Sequence, residues 1–210
     1  MDLWKMSPIR VFLAGGPVMW PILLCSILAL AIILEKLWHL RRIKTNTQDL
    51  LNKILDKMKR HQVKEAIEFC DTKPSPITRI LKAGILKYDR KRDEIKEAIE
   101  DASLYEIPHL EKNLNALATI AHISPLLGLL GTVTGMVRCF QTIQIKSSSF
   151  SPVSPGDLAG GIWEALLTTV AGLIVAIPVF VAYNYLVSRV NHFVLDMEKS
   201  ATELVNFLTE

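Results

Sequence analysis

A chain of 210 residues that is 50% apolar and 21% charged is neither a disordered segment nor a uniformly hydrophobic one. Its net charge of +3 is mild, and aromatics are not interleaved with its basic residues, so no nucleic-acid partner is expected. The charge is segregated: 18 of the 24 Lys and Arg residues and 13 of the 21 acids lie between Lys36 and Lys112, and the chain on either side is almost bare of charge.

After a segment over residues 1–16, the run Pro17–Leu34 (PVMWPILLCSILALAIIL) is long and apolar enough to cross a bilayer, and the first transmembrane helix is expected over 17–40. Its leader carries Lys5 and Arg10, as a signal peptide would. However, Glu35-Lys36-Leu37-Trp38 follows instead of a small-residue cleavage site, which predicts an anchor. Residues 41–115 read as a helical cytoplasmic domain. One helical stripe runs through 47–72 (Leu50, Leu51, Ile54, Leu55, Met58, Ala66, Ile67, Cys70), with charges opposite. Lys73-Pro74-Ser75-Pro76 breaks it, and Ser75 before Pro76 opens a helix near 76–88. A third helix begins near Asp93 and is expected to run directly into the second span, with Pro108 as a kink.

That second span is expected over 116–140, around ALATIAHISPLLGLLGTVTGMV. A link follows over 141–157, and its Lys146–Pro155 stretch (KSSSFSPVSP), rich in Ser and Pro, reads as irregular. The third span is expected over 158–187, and a C-terminal helix over 188–210. There Val190, Val194, Met197, Ala201, Leu204 and Leu208 form a seam that serves either a neighbouring helix or this chain's own cytoplasmic helices. Lys36, Arg41, Arg42 and Lys44 crowd the end of the first span, and Arg189 and Lys199 follow the third. Between the bodies of spans two and three only Arg138, at the end of span two, and Lys146 are basic. The positive-inside rule therefore places the N-terminus outside and the C-terminus inside. No segment alternates with period two. The fold class that results is all-α: an integral membrane protein with three transmembrane helices, two of them extended into a helical cytoplasmic domain.

Cys25, Cys70 and Cys139 are scattered singly, which predicts packing residues and no metal site, disulfide framework or cofactor. No Ser/His/Asp order, HExxH or cytoplasmic carboxylate pair stands out, so an enzyme is not expected. His122 in the second span reads as a packed or interface residue, with a proton relay as the competing role. Gly128, Gly131, Gly135, Gly172 and Pro178 belong to spans two and three, where small residues let backbones approach closely. Glu164 is costly in a bilayer and should face protein or a watery cavity. On a helical wheel Glu164, Thr168, Ala171, Val175 and Ala182 share one stripe. Thr169 lies about 17 Å in from Leu158 and Thr132 about 12 Å in from Phe140 at 1.5 Å per residue, so both can line one level of a cavity. The competing reading has the hydroxyls bonded to their own i−4 carbonyls and Glu164 at the interface. No carboxylate lies deep in any span, so a chain of this kind that moves protons needs a second chain to supply the carrier.

Three blocks carry a resemblance: GGPVMWPILLCSILALAIILEKL, SPLLGLLGTVTGM and GGIWEALLTTVAGLIVAIPVFVAYNYL. They resemble the MotA/TolQ/ExbB proton-channel family, and within it the ExbB/TolQ branch of biopolymer transport proteins. The resemblance implies a homopentamer, a five-fold ring whose second and third helices line a pore. That pore holds the single membrane helices of an ExbD/TolR-like partner dimer, each with an aspartate that is protonated and released. By motif position Thr132 (in GLLGTV) and Thr169 (in EALLTT) face that aspartate, with Thr168 beside them and Glu164 as the acid of the motif. Proton flow across the bacterial inner membrane then powers outer-membrane transport or envelope processes, and a TonB-like periplasm-spanning protein is a further implied partner. Thr134 stands where many relatives carry a bulkier residue. A static membrane scaffold or receptor subunit is the competing reading.

Overall fold

The computed structural model describes residues 7–43, 47–148 and 152–209. Lys44, the Arg42 side chain and residues 149–151 of the Ser/Pro-rich link lie outside them. Eight helices make up 89% of the described residues, among which there is no strand. They are α1 (Pro8–Ala14), α2 (Met19–Ile43), α3 (Thr47–Lys59), α4 (Val63–Thr72), α5 (Pro76–Ile85), α6 (Arg92–Glu111), α7 (Leu114–Ser148) and α8 (Pro155–Thr209). The chain divides into two units. The first comprises Met1–Leu34 and Asn115–Asn184, and the second Glu35–Leu114 and Tyr185–Glu210.

The first unit is the apolar one. Three helices are long and apolar enough to cross a membrane; they lie within Met19–Arg41, Arg92–Ser148 and Pro155–Thr209, with mean hydropathies of 2.0, 1.7 and 2.4. On α2, Leu23, Leu24, Ile27, Leu28, Leu30 and Leu34 are all exposed. A face of that kind needs lipid or another chain to cover it. Helix α1 ends at Gly15, and Gly16 takes φ +70°, a left-handed conformation that glycine adopts without strain. The turn brings Phe12 edge-to-face on Trp20, with ring centroids 5.1 Å apart.

Helices α7 and α8 run antiparallel at backbone contact. A Cβ added to Gly135 would lie 2.5 Å from the Gly161 carbonyl oxygen and 2.8 Å from the Ala165 Cβ. About two turns further in, Gly128 faces the Thr168 carbonyl and the Thr169 Cα, and Gly172 faces the Ser124 carbonyl and the Gly128 Cα. At the other end Cys139 Sγ donates to the Leu158 carbonyl at 3.3 Å. Pro178 lies inside α8 without ending it and is exposed.

The second unit folds as a soluble domain does. Leu51, Ile54, Ile77, Ile80, Leu81, Ile85 and Ile95 are almost wholly removed from solvent, and each such side chain contributes ~1.5–3 kcal/mol on burial. The 47–72 stripe, expected as one element, is two helices. His61 at φ +56° ends α3, its amide donating to the Met58 carbonyl and that of Gln62 to the Lys57 carbonyl, both at 3.0 Å. These two bonds satisfy carbonyls that a helix end leaves open, and the reversal lets both apolar faces meet one core. Helix α5 starts where Ser75-Pro76 predicts. The Ser75 hydroxyl accepts from the Thr78 amide at 3.3 Å, and the Thr78 hydroxyl accepts from the Ser75 amide at 2.8 Å, a reciprocal cap.

One further expectation needs adjustment. Helix α6 does not run directly into the second span. The chain breaks at Lys112–Asn113, with Asn113 at φ +67°, whereas Pro108 sits inside α6. Asparagine tolerates the left-handed region because its short amide bonds locally, and here its Nδ2 donates to Glu35 Oε2 at 3.0 Å. Helix α8, in contrast, continues unbroken to Thr209. Of the C-terminal seam, Val190, Met197, Ala201 and Leu204 are buried within this chain, Leu204 packing against Gly84. The seam packs on the chain's own helices.

Candidate functional site

The glycine-lined contact fixes where each candidate side chain lies. Thr168 is fully buried, and its side chain packs directly on Gly131. Its hydroxyl donates to the Ala165 and Glu164 carbonyls at 2.9 and 3.1 Å. Thr168 therefore lies inside the helix–helix contact and not on an open face. Thr169, one residue and 100° further round, places its hydroxyl 3.2 Å from both the Gly128 carbonyl of α7 and the Ala165 carbonyl of its own helix. It thus straddles the two helices. Thr132 is only half-buried, and its hydroxyl donates to the Leu129 carbonyl at 2.6 Å. Gly128 is one turn inward of Thr132, so Thr132 and Thr169 fall within about one turn of each other, ~6 Å along the axis.

A second constellation lies toward the α7 C-terminus. Glu164 is 7% exposed and forms an ion pair with Arg138 of α7. The Gly16 turn lies against the same carboxylate, so that a side chain there would overlap Glu164 Oε1. Thus α1–α2, α7 and α8 converge on one acid. Beyond it Lys146 pairs with Asp157 at 2.6 Å, and Asp157 accepts from the Ser154 amide at 2.8 Å, which anchors the start of α8. Sequence reasoning counted Arg138 only as a link charge. The register signal was present, since an antiparallel pair centred on Gly131 and Thr168 brings Arg138 to Glu164, but it required knowing which glycines touch.

At the other end of the spans, His122 Nδ1 lies 2.7 Å from the Ala118 carbonyl, and the ring packs edge-to-face on Phe180 with centroids 6.3 Å apart. Ser124, buried, donates to the Ile120 carbonyl at 2.7 Å. Among the described residues, no buried side-chain oxygen or nitrogen lacks a partner, and no three His, Cys, Asp or Glu side chains are grouped to hold a metal ion. Chemically the site offers hydroxyls that are already donating. Each keeps lone pairs that can accept a proton donor, and each can rotate to donate elsewhere if its carbonyl bond is released.

Three apolar helices, two of them locked through glycine backbones beside a row of hydroxyls and one ion-paired acid, define a membrane protein that presents polar groups within a helix bundle. The chain belongs to the MotA/TolQ/ExbB proton channel family, whose sequence profile matches residues 72–199. It is 35% identical over 177 residues to the putative biopolymer transport protein ExbB-like 1 of Synechocystis sp., an alignment covering 84% of this chain and 69% of the relative. A putative ExbB homolog of Methanothermobacter thermautotrophicus is 28% identical over 202 residues, 96% of this chain and 68% of the relative. The Tol-Pal system protein TolQ of Haemophilus influenzae is 39% identical over 104 residues, 49% of this chain and 43% of the relative.

Proposed function

We propose that this chain is the ring-forming subunit, in five copies, of an inner-membrane proton-conducting motor that couples the proton motive force to outer-membrane transport or envelope processes. Its partner is an ExbD/TolR-like single-span protein, present as a dimer in the pore, and a TonB-like protein spanning the periplasm is the onward connection. The N-terminal segment and the 141–157 link face the periplasm. The 41–115 region and the C-terminal helix face the cytoplasm, in keeping with the basic residues that flank spans one and three.

The observation that carries the reading is the register of α7 against α8. It brings Thr169 and Thr132 within about one turn, with the Glu164–Arg138 pair toward the α7 C-terminus, and neither the 116–140 nor the 158–187 span carries another carboxylate. The acid that alternates between charged and neutral must then come from the partner. An ionised carboxylate costs far more to bury than its neutral form. A threonine that gives its hydrogen to Leu129 can accept from the neutral acid, and by turning away from Leu129 it can donate to the carboxylate. Hydroxyls of this kind lower the cost of both states in turn. Glu164, held by Arg138, stands at the outer entrance to that level. Thr168 secures the helix contact that keeps Thr169 in place.

Valine matches threonine in shape and lacks the hydroxyl. Thr132→Val and Thr169→Val are therefore expected to copurify with the single-span partner at the wild-type ratio, yet lose about tenfold or more of the proton-driven transport rate, since a hydrogen bond to a charged group is worth ~1.5–3 kcal/mol. Full activity in both variants would assign the hydroxyls to helix packing alone.

A further inference from the structure

The second unit contains a cation-rich cavity that the motor reading does not use. It has a volume of about 770 Å³ and lies between the last turns of α2, the Lys73–Pro76 turn before α5, and the C-terminal half of α6. Lys36, Lys73, Arg79 and Lys112 line it, together with His39 and His109, against two acids, Glu35 and Glu106. Both acids are engaged. Glu106 accepts from Arg79 at 2.9 and 3.0 Å, and Glu35 accepts from Asn113 at 3.0 Å. Lys73 lies 5.7 Å from the Phe69 ring centroid.

Lys36 makes the cavity more than a patch of surface charge. It is 2% exposed, and its ammonium donates to the Leu110 carbonyl at 3.0 Å. One neutral acceptor serves only one of its three donor hydrogens. A buried ammonium without an anion is costly, and the cost falls when an anion joins it. The excess of lysine and arginine over carboxylate points the same way. So does the position, because α2 is a membrane-length helix and the cavity opens beside its final turns, where Trp38 is 71% exposed. Aromatic side chains favour the bilayer interface, and basic pockets beside membrane helices take the phosphate of anionic lipid headgroups.

We propose that this cavity binds a phosphate-bearing anion, the headgroup of an anionic phospholipid in the leaflet where α2 ends. Lys36 contacts the phosphate from the closed side, and Lys73 and Lys112 hold it from the open side. The bound headgroup ties α2 to the α5 and α6 ends, next to the Asn113 break from which α7 departs. The site is thus a lipid-dependent brace on the entry to the second span.

The test is native mass spectrometry of the full-length protein in neutral detergent, titrated separately with phosphatidylglycerol and with phosphatidylcholine of the same chain length. Phosphatidylglycerol is expected to bind at least tenfold more tightly. The Lys73→Gln/Lys112→Gln double variant, which changes two exposed side chains, should reduce that binding at least fivefold, while Lys53→Gln/Lys96→Gln, which removes two lysines elsewhere, should leave it unchanged. Lys36→Gln, with its helix content checked by circular dichroism, should reduce it further. Millimolar inorganic phosphate that displaces the lipid, or that is itself retained while the two lipids bind alike, would keep the phosphate site and assign it to a free anion. Equal binding of both lipids with no effect of phosphate, or an unchanged Lys73→Gln/Lys112→Gln variant, would overturn it.

Discussion

The two units of this chain solve the same problem, how to hold helices together, by opposite means. In the second unit large aliphatic side chains meet in a core, and water drives them there. In the first, α7 and α8 touch through glycine, so their backbones come as close as atoms allow. A lipid tail is as apolar as a leucine, and side-chain burial therefore gives little advantage over facing lipid; close van der Waals packing decides the contact instead. The comparison teaches where substitution hurts. The first unit is intolerant of added atoms and the second of removed ones.

The largest expected effect follows from that rule. Gly135→Leu forces a side chain into the Gly161 carbonyl, 2.5 Å from the new Cβ, and should cost at least the upper end of the ~1–3 kcal/mol typical of overpacking. A collapsed yield of monodisperse protein is the expected readout. Gly160→Ala, which meets nothing within 4 Å, is the matched control and should behave as wild type. If Gly160→Ala were as harmful as Gly135→Leu, the contact would not be what sets tolerance.

In the second unit the sign reverses. Leu81→Ala empties a fully buried site and should destabilise by ~2–5 kcal/mol, measured as a lowered unfolding midpoint of the full chain in detergent. A smaller loss, ~1 kcal/mol, is expected for Ser75→Ala, which deletes one half of the reciprocal cap on α5. Thr78 would then retain its bond to the Lys73 carbonyl at 2.9 Å, so the effect should stay local and amide exchange should rise chiefly in the first turn of α5.

The smallest effect concerns Cys70. Burial, reinforced by the neighbouring Asp71, raises its thiol from 9.0 to about 11, and Lys82 opposes this only in part. Its folded value lies above its unfolded one. The stabilising contribution is thus fully present below about pH 9 and is lost as the pH rises toward about 11. Iodoacetamide at pH 8 should label Cys70 at least about tenfold more slowly than a free thiol, followed by peptide mass analysis, because the thiolate is the reactive form. Labelling at the free-thiol rate would mean that the second unit opens readily around α4.

Much of this architecture was legible because the signals were local. Ser75-Pro76 announces a helix start through the side chain next to it, and the apolar runs announce spans by length alone. Glycines in spans two and three announced close packing, although not which glycine meets which carbonyl. The breaks at His61 and Asn113 were missed for a related reason. Neither residue is glycine, and each adopts a positive φ because the turn it makes lets apolar faces or a Glu35 bond form elsewhere in the chain. The wheel put Thr168 with Glu164, which is correct for one helix. It could not show that the face of Thr168 is covered by Gly131, nor that Arg138, 26 residues before Glu164, supplies its counter-charge.

The glycine contact between α7 and α8 also has a thermal consequence. Cohesion that comes from water leaving apolar surface carries a large heat-capacity change and weakens on cooling. Cohesion that comes from backbones in van der Waals contact within lipid has no such term. On cooling, the leucine and isoleucine core of the second unit therefore loses strength first, while the α7–α8 pair, with the threonines it positions, keeps its grip.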